Sequence, residues 1–558
     1  MNRRKIYFSV WLLVFLGISS FSSIILGKRH HARQSEQKSA ALNLEQSDEL
    51  ELFGTEEELD PLDDPNITKY VQHKTFKAPT QKCSAQDILN TIVPLGMSDL
   101  LEQNIFCHTN PLNNRNLDDE PLFLPHVFQY PQDLTVSTCI FWNQTDKMNF
   151  TSSSNSFDCY LALTNPMLLS KLPPIEALLK GFDLARILTL FGTAHVEERR
   201  VGTSLQAVWQ SPFGDLRAFL PIYYFERNFN MTESVKAELA ALTFEPSPGE
   251  QERFKKEHLI SDNLGIGDLR LEWLLPLVDR ETYALKTGIY TTLPTSWAFA
   301  KNIKGSSYCS DAPRPKVNLE ALCQNRDLKN ITDALFYSLD HLAANLIDAK
   351  ANTQQRHFSI AGMVQTKASL NSLIHRPWAE HFSLHNRTSL EYFTPGWEKR
   401  FYVLRADCAE FARFDKYKNG QGGPETAPED LAFLENRLVD VIYPYVFDTL
   451  VKPNFVFWWD AKAQYEYANM GGFLGVDFWL KGKEQFGSIR ALPNVYKSLE
   501  IEKARKPLAY QMKVLGSLFY KMEQPNYECI ISFNADKAFL HSGIGKDYNL
   551  VLQFETSF

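Results

Sequence analysis

The last eleven residues, Tyr548-Asn-Leu-Val-Leu-Gln-Phe-Glu-Thr-Ser-Phe558, alternate with a period of two. Tyr548, Leu550, Leu552, Phe554 and Phe558 fall on one face, broken by Thr556. Asn549, Gln553, Glu555 and Ser557 fall on the other, broken by Val551. Successive side chains of a strand point to opposite sides, so this stretch reads as a strand with one apolar and one polar face. The length of the repeat constrains the fold further. Tyr548 and Phe558 stand ten residues apart on one face, as do Tyr510 and Tyr520, and Phe455 and Tyr465. Ten strand residues span roughly 33 Å, which at a tilt of about 40° projects to roughly 25 Å, the height of the apolar band of a membrane-spanning β-wall. Strands of soluble sandwiches usually run only about 5–6 residues.

An alternating strand that closes on a bare aromatic resembles the C-terminal strand of bacterial outer-membrane β-barrel proteins. The resemblance implies a barrel in the outer membrane, contact with membrane lipid, and an assembly signal made by Tyr548, Phe554 and Phe558 and read by the barrel-assembly machinery. It singles out no narrower family and no cargo.

Other segments carry the same alternation. Leu205, Ala207 and Trp209 oppose Ser204, Gln206 and Gln210, with a turn at Ser211-Pro-Phe-Gly214. Leu269, Leu271, Trp273 and Leu275 oppose Asp268, Arg270 and Glu272; Asp279-Arg280 turns the chain, and Tyr283, Leu285 and Ile289 then oppose Lys286 and Tyr290. Strands follow at Phe358 to Leu370 and His381 to Phe393. Phe455 to Tyr467 alternates against Asp460, Lys462, Gln464 and Glu466, and Gly471-Gly472 turns into a strand bearing Asp477 and Lys481. Leu508 to Met522, Cys529 to Asp536 and the final strand complete about twelve. Backbone groups left unpaired in lipid cost several kcal/mol each, so such a sheet must close on itself. Its apolar face then points outward and its charged face inward. Asp268, Arg270, Glu272, Lys286, Asp460, Lys462, Glu466, Asp477, Lys481 and Lys513 are assigned to the lumen on this logic.

The expected fold is therefore mainly β: an antiparallel transmembrane barrel over 181–558, with helical insertions at Glu233 to His258, Asn318 to Ala351 and Ala427 to Leu450. These belong on one rim or in the lumen. A small α+β region at 83–180, periplasmic or plugging, precedes it. Ser84 caps a helix there over Asp87 to Gln103, Thr135 to Trp142 and Cys159 to Thr164 read as short strands, and Leu172 to Leu190 is apolar. Arg3, Arg4 and Lys5 precede a charge-free run from Ile6 to Gly27, so 1–27 reads as a signal peptide or an uncleaved anchor. Residues 28–82, densely acidic from Asp48 to Asp64, read as a disordered tether.

The slightly negative mean hydropathy excludes a bundle of many helical spans and is compatible with a barrel, half of whose strand residues are polar. A net charge of −8 gives no support to nucleic-acid binding. Eight cysteines fit an oxidising compartment. Cys309 and Cys323, close in sequence beside the second insertion, are the expected loop disulfide.

Catalytic and metal motifs are sparse. His381-Phe-Ser383-Leu-His385 places a His two residues before a Ser, which resembles the active-site strand of outer-membrane phospholipases, where a His base activates a Ser nucleophile. Asn386 falls on the opposite face, and ordinary polar wall residues are the favoured reading. Gly543-Ile-Gly545-Lys546 lacks the spacing of a phosphate loop and reads as a hairpin turn. Gly265-Ile-Gly267 enters a strand and makes no dinucleotide site. No cofactor or metal is expected. The function expected is a passive pore or binding barrel for small polar solutes, without a catalytic step. Two alternatives stand beside it: a phospholipase-like hydrolase using His381 and Ser383, and a single-span lumenal glycoprotein, suggested by N-x-T sequons at Asn66, Asn143, Asn149, Asn230, Asn330 and Asn386.

Overall fold

The computed structural model describes residues 84–94, 108–117, 120–123, 134–155, 157, 184–192, 194–243, 260–280, 282–301, 303, 318–320, 357–405, 411–442, 445–525 and 527–558. Its strands are β1 (Leu134–Asp146), β2 (Glu197–Ser211), β3 (Gly214–Asn228), β4 (Ile260–Ile266), β5 (Leu269–Arg280), β6 (Tyr283–Leu293), β7 (Trp297–Lys301), β8 (Ser359–Ser369) and β9 (Phe382–Phe393). They continue with β10 (Gly396–Tyr402), β11 (Tyr445–Lys452), β12 (Phe455–Tyr467), β13 (Met470–Lys481), β14 (Gln485–Ile489), β15 (Ala509–Gln524), β16 (Tyr527–Ser542) and β17 (Lys546–Ser557). Four longer helices accompany them: α1 (Ala85–Ile92), α2 (Leu184–Gly192), α3 (Glu233–Thr243) and α4 (Ala427–Ile442).

Twelve of the strands form a closed antiparallel ring in the order β1, β2, β3, β5, β6, β8, β9, β12, β13, β15, β16, β17. The seam is β1 on β17, from Thr135 opposite Ser557 to Asp146 opposite Lys546. The Phe558 N–H donates to the Leu134 carbonyl at 2.8 Å at its end. β4 prolongs β5 along β3 and carries β7 on its other edge. The chain bends between β4 and β5 at Gly267, where a Cβ would meet Pro221 Cγ at 2.7 Å.

The two rims differ. At one, β2–β3, β5–β6, β12–β13 and β15–β16 are joined by turns of two residues and β8–β9 by the longer segment 370–381, and Leu134 and Phe558 lie there too. At the other, connections run through 147–196, 229–259, 294–358, 394–454 and 482–508, and only 543–545 is short. The Gly543-Ile-Gly545 segment is the β16–β17 turn; Gly543 has φ +67°, and a Cβ there would strike the Leu508 carbonyl. Short turns on one side and long loops on the other are the habit of outer-membrane barrels.

The outward face is apolar along most of its height. Ile140, Leu216, Leu271, Ile289, Ile360, Val364, Leu390, Leu474, Val514, Leu518, Phe533, Leu550, Leu552 and Phe554 are all exposed, Leu518 by 73%. Tyr465 and Tyr520 stand near the short-turn end, Phe455, Tyr510 and Tyr548 near the long-loop end. An apolar belt of this extent greatly exceeds the largest patch on ordinary soluble monomers, whereas hydrocarbon satisfies it without cost.

Several expectations need correction. β1 is a wall strand, so the ring begins at Leu134 rather than at 181, and the region expected at 83–180 is divided by it. Its alternation is masked because Cys139 and Phe141 turn inward with Ser137 and Asn143. The helix expected over Asp87 to Gln103 is α1, capped reciprocally by Ser84 and Asp87; its register ends ahead of Pro94, which has no N–H to continue it. The third insertion divides into α4, which buries Leu431 and Leu434, and β11, which joins β10 and β14 in a separate three-stranded sheet. The turn expected at Asp279-Arg280 lies at 281–282. Segments 1–27 and 28–82, the strand at 159–164, most of the second insertion, and Cys309 and Cys323 lie outside the described residues. Among those described, Cys139 and Cys529 are free thiols. The glycoprotein alternative does not fit the wall: Asn143 is buried and donates to Asn549 Oδ1 at 2.7 Å, Asn149 is buried, and Asn386 accepts from Trp459 Nε1 at 2.6 Å.

Candidate functional site

Twelve strands about 4.8 Å apart and tilted by about 40° make a ring roughly 24 Å across between backbones. Eight strands already give an interior that side chains just fill, so this wall leaves room for additional chain. What fills it is charge and one further segment of the protein.

Asp268, Arg270, Glu272, Lys286, Asp460, Asp477 and Lys513 are buried on the inward face, and Lys462, Glu466 and Lys481 are half-buried. Eight of them meet oppositely charged neighbours, and Asp268 accepts from the Ser296 N–H at 3.1 Å. Glu272 accepts from Arg387 at 2.6 Å and is ion-paired with Arg270 at 2.9 Å and Arg217 at 3.5 Å. Lys286 pairs with Asp215 at 2.7 Å, Lys462 with Asp460 at 3.9 Å, and Glu466 with Lys521. Arg270 lies 3.6 Å over the Tyr290 ring, and Arg387 4.6 Å over that of Trp458. Isolated charges could not persist in this setting; paired and stacked ones can.

The second group centres on residues 108–117 and 120–123, which pack inside the ring. Arg115 grips Asp477 with two bonds, at 2.5 and 3.0 Å. Arg200 Nη1 donates to the Arg115 carbonyl at 2.7 Å. Glu120 and Asp547 both accept from Lys513, at 2.7 and 2.8 Å, and Asp536 stands 3.5 Å away. Glu198 joins Arg200 and Arg227. Below these pairs Leu117, Leu122 and Phe123 pack on inward apolar groups of the wall: Phe141 of β1, Phe219 and Tyr223 of β3, Phe473 of β13 and Leu515 of β15. A cavity of about 10 Å³, enough for a water, remains beside Asn113, Arg115, Glu198, Arg200 and Asp547.

The inward partners Glu198, Arg200, Asp215, Arg217, Arg387, Asp536 and Asp547 went unassigned in the sequence reading, although their spacing of two along β2, β3, β9, β16 and β17 was the available signal. Arg115 and Glu120 had no such signal, because their segment is not periodic.

His381 and Ser383 are not brought together as a pair. His381 precedes β9 and packs edge-on against Tyr465 and Tyr467. Ser383 Oγ instead meets His385 Nε2 at 2.8 Å. Lys367 and Lys462 stand directly opposite His385 on the flanking strands, where a catalytic His would want a group that accepts its other N–H. Among the described residues no group of three or more His, Cys, Asp or Glu could hold a metal.

On the long-loop rim a polar cluster fastens the small sheet. His357 reaches the Thr394 carbonyl at 2.7 Å and Glu398 at 2.6 Å; Arg400 joins Glu398 at 2.9 Å and Glu484 at 3.0 Å; the Lys506 N–H donates to Glu484 at 3.1 Å. Burial opposes the charge on Glu398, but Arg400 and the His357 hydrogen bond outweigh it and hold the carboxyl at about 2. Burial pulls the Lys506 ammonium down to about 7, against the attraction of Glu484.

No family model and no curated protein matches this chain. Among solved structures it is similar to an outer-membrane channel from Pseudomonas putida F1, with 7% identity over 77% of this chain and 98% of that one and a TM-score of 0.37. It is similar also to the Pseudomonas putida toluene transporter TodX, with 8% identity over 82% and 98% and a TM-score of 0.31. The transport unit of the Escherichia coli autotransporter AIDA-I shares 7% identity over 78% and 94%, with a TM-score of 0.29. From its own geometry, a closed antiparallel wall with an apolar exterior and a charged interior, the chain is a transmembrane β-barrel of the outer-membrane type.

Proposed function

We propose that this barrel is a conduit for small polar solutes across the outer membrane, shut in the present conformation by residues 108–117 and 120–123. The observation that carries the reading is the ionised interior. Replacing buried ion pairs by well-packed apolar groups is often neutral or stabilising by about 1–4 kcal/mol, so a purely mechanical barrel gains little from lining itself with charge. A path for water and solutes needs such a lining. The occupied lumen supports a conduit that opens when the inner segment shifts, rather than a permanently open pore. Entry into the membrane is assigned to β17, with Tyr548, Phe554 and Phe558 toward the assembly machinery.

The test is conductance in planar bilayers. The full chain should conduct rarely, and a variant lacking residues 84–123 should give steady discrete steps. In that variant Asp460→Lys, Lys462→Glu or Glu466→Lys should change the cation-to-anion preference. A folded, heat-modifiable variant that passes no current would overturn the reading. Phospholipid hydrolysis abolished by Ser383→Ala would favour the hydrolase instead.

A further inference from the structure

We infer that the chain threads its own barrel, entering the lumen from the long-loop face and reaching the short-turn face before the wall begins. The inference rests on the order of contacts along residues 84–134. α1 packs on α4 within the β9–β12 connection, and Gln86 Nε2 donates to the Gly422 carbonyl at 2.8 Å. The Thr109 N–H donates to the Lys503 carbonyl at 2.9 Å, and Asn110 Nδ2 to that of Phe150 at 3.0 Å. Asn113 Nδ2 reaches the carbonyls of Pro507 and Gly543. All of these partners sit in connections of the long-loop rim.

The next contacts lie deeper. Arg115 meets Asp477, four residues in from the rim end of β13, and Glu120 meets Lys513, four residues in from that of β15. Phe123 then packs edge-on against Phe141, five residues in along β1, and Phe219, nine residues in along β3. Leu134 finally opens β1 at the opposite rim, bonded to Phe558. Depth therefore increases with residue number from one mouth toward the other. Reach is ample, since an extended chain covers up to about 3.3–3.6 Å per residue against a wall roughly 25 Å high.

The ties make this a held position. Arg115 and Glu120 are nearly fully buried and face wall charges of opposite sign, so withdrawing the segment would leave Asp477 and Lys513 short of partners. Threading adds a role that solute passage does not require: the barrel presents the part of its own chain that begins with α1 on the long-loop face.

The experiment places an epitope ahead of Ser84, a second in the loop at Gln421–Gly423 and a third in the turn at 468–469, each in an otherwise full chain. Antibody is added to intact and to permeabilised Gram-negative cells. The epitope ahead of Ser84 should be labelled together with the 421–423 epitope, and opposite to the 468–469 epitope, whichever way the barrel is inserted. Labelling together with the 468–469 turn would overturn threading. If the epitope prevents folding, Asn90→Cys and an impermeant maleimide replace it, with the parent chain as background. Passage through the lumen is read separately from Glu120→Cys/Lys513→Cys, which a short bis-maleimide should cross-link, since two long side chains meeting at their tips hold the backbones too far apart for a direct disulfide; a folded double variant that fails to cross-link would place the segment elsewhere. Conductance enters none of these readouts, so threading and the conduit reading can fail independently.

Discussion

At the scale of residues, this protein holds charge by pairing it, and the rim cluster shows the consequence outside the membrane. Glu398 has its ordinary value of 4.5 lowered to about 2. Its contribution to stability is thus complete above pH 4.5 and is lost as the pH falls through 2. Lys506 behaves in the other sense. Its folded value of about 7 lies below the ordinary 10.5, so the unfolded chain binds more protons between those limits and stability rises with pH across them. Hydrogen exchange of β10 and β11 should therefore quicken as the pH falls from 4.5 toward 2 and slow as it rises above 7; exchange indifferent to pH across both windows, once intrinsic rates are corrected, would contradict the assignment. Arg400 bridges Glu398 and Glu484 while almost fully buried. Arg400→Met should cost the small sheet about 3–5 kcal/mol, as expected when one partner of a buried pair is removed. Limited proteolysis should then cut 394–454 while the ring stays heat-modifiable. Alternation alone singled out an inward set of charges, because strand geometry turns every second residue to one face, yet it passed over Glu198, Arg200, Asp215, Arg217, Arg387, Asp536 and Asp547. Arg400 and Arg115 were not legible in this way, because each acts through a neighbour that sequence spacing does not bring near.

At the scale of elements, the long strands were readable wherever one face was apolar and the other polar. β17 is the clearest case: Leu550, Leu552 and Phe554 outside, Asn549, Gln553 and Glu555 inside. β1 was underestimated because the interior beside it is partly apolar, where Phe123 packs on Phe141. Its alternation only makes sense once the inner segment is known. The small sheet of β10, β11 and β14 was missed for a similar reason, since short strands far apart in sequence carry no local sign of pairing. β17 bonds to β16 on one side and β1 on the other. Deleting Asp547 to Phe558 would open both of those edges in lipid at several kcal/mol for each unpaired group. That deletion should abolish heat-modifiable protein in the outer-membrane fraction. Removing Phe558 alone deletes one residue at the seam's end, and Leu134 loses the backbone partner it has there. It should reduce assembly less, and normal assembly of the larger deletion would refute the role given to this strand.

At the scale of the whole molecule, wall and contents are separable in principle. Every wall strand is paired on both sides along the ring, and among the described residues no wall backbone bond depends on the segment from 84 to 123. The contents contribute through side chains: ion pairs to Asp477 and Lys513, and apolar burial of Leu117, Leu122 and Phe123, each side chain worth about 1.5–3 kcal/mol when fully buried. Removing the segment forfeits that burial, but water entering the lumen would hydrate the charges left behind, so their loss costs less than in a dry interior. The variant lacking 84–123 should therefore still close, insert and shift on heating, with its transition at a lower temperature than the full chain. Arg115→Met is expected to behave differently. It leaves the segment in place and water excluded, with Asp477 keeping the Trp458 Nε1 donor but losing its guanidinium. That single change should loosen the segment and raise the frequency of conducting events while the wall's transition moves little. If the deletion instead yields no closed barrel, the inner segment is part of the assembly template, and wall and contents fold as one unit.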